Sequence, residues 1–312
     1  MKGLAMLSLL LSAVLCSNVT TPFTGTLCTP NDGKKHAAVI LLSGSEGGNS
    51  MKGFARMFAE HGYVGVSVAY FKMPGLPQKL VDIPVETIEP AIDALQARPD
   101  VDRGELGILG PSKGGEFSLL AASTYPQIKA VVAIVPSPIA YMGLNETDQP
   151  ENCSWTKAGK ELPCVAADPS AGMAIGQEFA AQKPITLKPL YDASRNADST
   201  VTRKATFPLE RINGPVLCLA GQDDQMWNSP AHCDIAMRYL KAHHHRFADR
   251  EIVYPNAGHM FFMALSGPSS AMNTYAFPGG SFAFGGTPQA DADAATASWQ
   301  AIWDFLQKTL AP

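Results

Sequence analysis

The stretch that decides the fold is Glu105-Leu106-Gly107-Ile108-Leu109-Gly110-Pro111-Ser112-Lys113-Gly114-Gly115-Glu116-Phe117. A short, mostly apolar run from Glu105 to Leu109 leads into Gly-Pro-Ser-Lys-Gly. A helical pattern carried by Phe117, Leu120 and Ala121 follows. Strand, tight turn and helix around G-x-S-x-G is the arrangement of a nucleophile elbow. The outer glycines let the backbone turn sharply and let helix approach strand, so that the serine hydroxyl stands at the top of a sheet. G-x-S-x-G is short enough to arise by chance. Chance does not also place an acid and a histidine downstream in the required order, and Ser112 is therefore the candidate nucleophile.

On either side of the elbow the pattern alternates strand and helix, which predicts a mostly parallel sheet covered on both faces; together with the elbow and the downstream order of acid and histidine, this is the arrangement of the α/β-hydrolase fold. Ala37 to Leu42 is a continuous apolar run, as expected of a strand buried on two sides. It ends in Ser43-Gly44-Ser45-Glu46-Gly47-Gly48, followed by a helix from about Lys52 to His61 and a strand from Tyr63 to Tyr70. Ile83 to Ala97 reads as an amphipathic helix with Pro90 as a kink or boundary. After the elbow helix, which runs to about Thr124, comes a strand at Ala130 to Val135. From 136 to 208 periodicity fades, and a lid or cap excursion is expected there. Order returns with a strand at Val216 to Ala220, a helix at Ser229 to Ala242 and a strand at Glu251 to Tyr254. A Gly/Phe-rich segment, Ser266 to Gly286, precedes a closing helix over Asp291 to Leu310.

Composition bounds the function classes. The 312 residues, 46% hydrophobic and 17% charged, suit one large domain. A net charge of -4 with no block of like charges argues against nucleic acid as a partner. Lys2 precedes an apolar stretch, Leu4 to Leu15, that is too short to span a membrane and fits the core of a signal peptide. Residues 1–17 are expected to be that leader, with Ser17 or Ala13 at the cut and 18–312 a single catalytic domain; a buried first strand is the alternative. The expected location is secreted or periplasmic, or cytoplasmic if the N-terminus is not cleaved. Cys153 and Cys164 flank a polar loop that a disulfide would close in an oxidising compartment. Cys218 lies mid-strand as a buried thiol. No cysteine has zinc-type spacing with histidine, so neither a metal nor a cofactor is expected.

A serine hydroxyl needs a positioned base. Gly221-Gln222-Asp223-Asp224 follows one strand and Gly258-His259 follows the next, so both loops fall at the sheet edge to which the elbow points. His259 would take the Ser112 proton, and Asp224 would fix the imidazole tautomer and stabilise its charged form. Asp223 is the competing acid; the spacing from Gly221 favours Asp224. His243, His244 and His245 end a helix and are not ligands, since adjacent residues do not share a face. His36, His61 and His232 read as surface or capping residues. The oxyanion hole is expected from the Lys113 N–H with one from the Ser45 or Glu46 region, and the Lys113 side chain reads as solvated.

HAAVILLSGSEGG (36–48), HGYVGVSVAYF (61–71), LGILGPSKGGEFSLLAAS (106–123), FPLERINGPVLCLAGQDDQMW (207–227) and YPNAGHM (254–260) together resemble the catalytic domain shared by acyl-CoA thioesterases and bile-acid-CoA:amino-acid N-acyltransferases. The similarity runs from about His36 to the C-terminus and is weakest over 145–200. It implies a dienelactone-hydrolase-like α/β hydrolase in which nucleophile, acid and base fall on Ser112, Asp224 and His259. It further implies an acyl ester or thioester substrate such as acyl-CoA. Animal members carry a β-sandwich domain before this region, and here a stand-alone catalytic domain is expected. The family's acyltransferases are associated with cysteine and its thioesterases with serine, so Ser112 points to hydrolysis. A leader, however, would take the chain away from cytoplasmic acyl-CoA. Lys72, Lys79, Arg203 and Lys204 are the cations available to nucleotide phosphates. A thioesterase is therefore weighed against an exported carboxylesterase, an N-acyltransferase and a non-catalytic binder. Sequence leaves chain length and oligomeric state open.

Overall fold

The computed structural model describes residues 14–144 and 152–310. Along the chain run β1 (Val14–Val19), β2 (Gly25–Pro30), β3 (His36–Leu42), α1 (Lys52–Glu60), β4 (Val64–Val68), β5 (Ile83–Pro84), α2 (Glu89–Ala97), β6 (Val101–Pro111), α3 (Lys113–Thr124) and β7 (Ile128–Ile134). The excursion after β7 carries β8 (Trp155–Lys157), β9 (Lys160–Glu161), α4 (Pro169–Ala180), α5 (Lys188–Ala197) and α6 (Ser199–Ala205). The chain then closes with β10 (Val216–Gly221), α7 (Ser229–Ala242), β11 (Arg250–Tyr254), β12 (Thr274–Phe277), β13 (Gly280–Ala283) and α8 (Pro288–Thr309).

Eight strands form one sheet in the order β1-β2-β4-β3-β6-β7-β10-β11. All pairings from β4 to β11 are parallel, while β1 and β2 add an antiparallel edge. The apolar run in β3 is explained by its two faces. Ala38, Ile40 and Leu42 enter one core with Phe117, Leu120 and Leu240, and Ala37, Val39 and Leu41 enter the other with Phe58, Ile302 and Leu306. Strand alternation thus feeds helices on both sides of the sheet. This is the α/β-hydrolase fold expected from the sequence.

Three local expectations change. Ile83–Ala97 is not one helix: β5 and a short 3-10 turn (Val85–Ile88) precede α2, and Pro90 sits in the first turn of α2. Proline lacks an N–H and is tolerated only where no helical bond is lost. Among the described residues, the 136–208 excursion holds three helices where no periodicity was legible. Their inner residues, such as Leu190, Tyr191 and Ala205, pack with Tyr141 and Trp227 as a separate small core. Finally, residues 1–13, most of the expected leader, lie outside the described residues. Residues 14–17 belong to β1, where Cys16 is disulfide-bonded to Cys28. A cut after Ser17 would remove that cysteine and most of the strand; a cut after Ala13 would leave both.

Candidate active site

The elbow is built as its sequence requires. Ser112 sits between β6 and α3 with φ 53° and ψ -123°, a conformation that side-chain-bearing residues rarely adopt. Its N–H is tied to Ile134 O at 2.9 Å. Close approach explains the flanking glycines: a Cβ on Gly110 would lie 2.2 Å from Gly114 O, and one on Gly114 would lie 2.4 Å from Ser43 O. The elbow thus packs against the loop after β3, and a Cβ on Gly44 would lie 3.5 Å from Ser112 Cβ.

Asp224 and His259 are brought together from 35 residues apart. His259 Nδ1 is 2.8 Å from Asp224 Oδ2, and the two residues are 3% and 0% exposed. The other carboxylate oxygen accepts the N–H groups of Met226 (2.9 Å) and Trp227 (3.2 Å). Trp227 reaches back with Nε1 to Val135 O at 2.9 Å, one residue from the carbonyl that holds Ser112. Its ring also meets the His259 ring edge-on, with centroids 6.1 Å apart. Elbow, acid and base therefore share one hydrogen-bonded scaffold. His259 Nε2 makes no hydrogen bond among the described residues, and such contacts commonly tighten only with substrate.

Asp223 does what a loop-holding residue does. Its carboxylate accepts from Gly286 N at 2.8 Å and from Gln225 Nε2 at 2.6 Å. Ser45 and Glu46 are exposed on the loop after β3, and Glu46 Oε1 takes the Gly44 N–H (3.1 Å) and the Ser50 hydroxyl (2.7 Å). The first N–H groups of α3, Lys113 among them, have no helical acceptor. Lys72 and Lys79 lie in the loop after β4, and Arg203 and Lys204 on α6.

Sequence reasoning missed a buried ionic cluster beside the elbow. The Lys113 side chain is not solvated: it is 1% exposed, with Nζ 3.1 Å from Glu116 Oε2 and 2.9 Å from Ser154 Oγ. Glu116 Oε1 also accepts from Trp155 Nε1 at 2.6 Å and Tyr141 N at 3.3 Å. Burial pushes the Lys113 ammonium below and the Glu116 carboxyl above its ordinary range, each opposed by the other's charge. The covering residues come from the excursion, so helical spacing alone would not reveal them; the i, i+3 Lys–Glu pair was the available signal. His36 and His232 are likewise buried, not surface residues. His36 bonds Gly62 O at 2.8 Å and Asp32 at 2.9 Å, and His232 Nε2 bonds the Tyr141 hydroxyl at 3.1 Å. His61 does cap α1, bonding Met57 O at 2.8 Å. His243 caps α7, and His245 bonds Asp249 at 2.6 Å. Among the described residues no cluster of His, Cys, Asp and Glu is arranged to hold a metal ion.

The family model for the BAAT / acyl-CoA thioester hydrolase C-terminal domain matches residues 83–312. The chain belongs to this family. Among relatives of the family, human acyl-coenzyme A thioesterase 6 is 30% identical over 93% of the chain and 64% of its own length. Mouse mitochondrial acyl-coenzyme A thioesterase 2 is 29% identical over 91% of the chain and 58% of its own length. The chain thus spans somewhat under two thirds of these relatives. Solved structures share its fold at low identity. A dienelactone hydrolase-like promiscuous phosphotriesterase from metagenomic libraries superposes with a TM-score of 0.56 at 16% identity, covering 96% of this chain and 100% of that one. An acylaminoacyl peptidase from Pyrococcus horikoshii gives 0.55 at 13% identity, covering 91% of this chain and 39% of that one. The family resemblance read from the sequence is borne out.

Proposed function

We propose that the chain is a serine hydrolase of acyl thioesters, working through Ser112, His259 and Asp224. The observation that carries this reading is the buried 2.8 Å bond from His259 to Asp224, set on one scaffold with a serine at φ 53°. Membership of a family whose relatives are named acyl-CoA thioesterases supports the thioester as substrate. In the first step Ser112 Oγ attacks the carbonyl carbon as His259 Nε2 takes its proton, and the carbonyl electrons move to oxygen. The N–H of Lys113, with one from Ser45 or Glu46, would hold that oxyanion. Collapse expels the thiol, which takes its proton from His259. Water, deprotonated by the same imidazole, then cleaves the acyl-enzyme to acid and free Ser112.

A second reading is favoured by a separate observation. Cys16–Cys28 and Cys153–Cys164 are both bridged, and such pairs persist in oxidising compartments. We therefore infer export, with the leader cut after Ala13, and in that setting an oxygen ester would be the available substrate. The two readings separate in a paired assay of acyl-CoA and p-nitrophenyl esters on the disulfide-bonded protein, with Ser112→Ala as control. Thioester turnover in excess carries the first; ester turnover with inert acyl-CoA carries the second. Turnover surviving in Ser112→Ala sinks both.

A further inference from the structure

The Gly/Phe-rich segment after His259 folds as a two-stranded ribbon, β12 and β13, whose aromatic residues all fall on one face. The register sets Tyr275 opposite Phe282 and Phe277 opposite Gly280. Residues opposite each other, or two apart on one strand, share a face of the pleat, so Tyr275, Phe277 and Phe282 lie together. The Phe277 and Phe282 rings are 4.8 Å apart. Phe284, two residues beyond Phe282, stacks on Tyr275 with centroids 6.2 Å apart and lies 6.1 Å from the ring of His259. At the other end, a Cβ on Gly280 would meet the Phe277 ring at 2.9 Å and the Phe179 ring of α4 at 3.2 Å. Glycine at this point leaves room for both rings.

The result is a continuous aromatic track from His259 through Phe284, Tyr275, Phe282 and Phe277 to Phe179. Its inner end, Phe284, is 9% exposed, and the strip is open to water from the next ring outward: Tyr275 is 50% and Phe179 46% exposed. Phe179, Tyr275, Phe277 and Phe282 enter none of the buried clusters among the described residues. The track is also held in place. Ile185 N donates to Ser281 O at 2.7 Å and Ile185 O accepts from Ala283 N at 2.9 Å, which fastens β13 to the segment after α4. An ordered apolar strip left open to water calls for an apolar occupant.

We propose that this strip is the binding track for the acyl chain of the substrate. The occupant follows from continuity: the strip begins at the imidazole that would serve the reacting carbonyl and runs outward one ribbon wide. Four strand residues at about 3.3 Å each give it a length of about 13 Å, which suits a medium to long chain rather than an acetyl group. The inference rests on the hydrolase reading above, and it holds for thioester and oxygen ester alike.

The test uses Phe179→Ser and Tyr275→Ser, singly and together; both side chains lie outside the buried clusters, and thermal melts of each variant check that the fold is kept. The kcat/KM values for dodecanoyl and butyryl substrates are compared in the acyl-CoA series and in the p-nitrophenyl series. The double variant is expected to lose about tenfold on dodecanoyl substrates, mostly in KM, so that its dodecanoyl-to-butyryl ratio falls well below that of the parent. A dodecanoyl-to-butyryl ratio equal to that of the parent in every series that turns over overturns the proposal. So does a change confined to sedimentation behaviour, which would mean that a second copy of the chain covers the strip. If neither series turns over, the hydrolase reading fails, and calorimetric binding of dodecanoic against butyric acid decides the track by itself. Weaker dodecanoic acid binding in the double variant supports it, and equal binding overturns it.

Discussion

Asp224 spends both carboxylate oxygens: Oδ2 on His259 Nδ1 at 2.8 Å, and Oδ1 on the N–H groups of Met226 and Trp227. The neighbouring Asp223 points its carboxylate to Gly286 N and Gln225 instead. Two adjacent acids therefore have separable roles. Asp224→Asn should lower kcat by about 10⁴-fold by presenting the wrong imidazole tautomer. Asp223→Asn should cost far less, through loop geometry only. Ser112→Ala should remove turnover by several orders of magnitude while leaving the unfolding transition in place. Steady-state kinetics beside thermal melts check all three, and a reversed order of the two Asp variants would move the acid to Asp223.

The buried Lys113–Glu116 pair makes a stability prediction. Removing one partner leaves an uncompensated charge in the core, so Lys113→Met or Glu116→Gln alone should each cost about 3–5 kcal/mol. The double variant should cost clearly less than the sum of the two. Urea unfolding of the four proteins in a double-mutant cycle measures the coupling; strict additivity would mean that the pair is energetically idle.

His232 should make the fold acid-sensitive. Burial, aided by the charges of Arg195 and Lys113, pulls its pKa from 6.5 to about 3. Below about pH 6.5 the unfolded chain therefore takes up a proton that the folded chain refuses. Stability is fully present above that pH and declines as pH falls toward 3, by up to about 1.4 kcal/mol per unit from this group. His232→Gln retains a polar partner for the Tyr141 hydroxyl and cannot titrate. Its urea midpoint should fall less between pH 7 and pH 4 than that of the parent. Equal slopes would show that other groups set the acid limit.

The Cys153–Cys164 bridge closes a loop with a sequence separation of 11. Replacing both cysteines by serine should cost about 3 kcal/mol on the loop-entropy account. Ser154 and Trp155, which hold Lys113 and Glu116, lie inside that loop. The same variant should therefore loosen the elbow's flank, seen as faster amide exchange over α3. Unchanged exchange there would separate the disulfide from the elbow.

Much of the chain was legible because it is governed by short-range rules. A buried strand, a serine between close-packed glycines and a helix of regular apolar period are each specified within about a dozen residues. The order of Ser112, Asp224 and His259 follows from placing loops at one edge of a parallel sheet. The spacing from Gly221 favoured Asp224 over Asp223, and the folded chain turns the Asp224 carboxylate to His259. Other features depended on partners that only the folded chain brings near. Lys113 is buried by Ser154 and Trp155, 41 and 42 residues away, and His232 meets Tyr141 across 91. The bridge of Cys16 to Cys28 needed the antiparallel register of β1 on β2. The aromatic strip needed the register of β12 on β13 and the arrival of α4. Sequence alone determined the alternating frame of strands and helices and the order in which the candidate Ser112, Asp224 and His259 fall along it. Tertiary structure decided which polar groups are desolvated and which apolar ones stay open, because both depend on contacts between segments that no local pattern encodes.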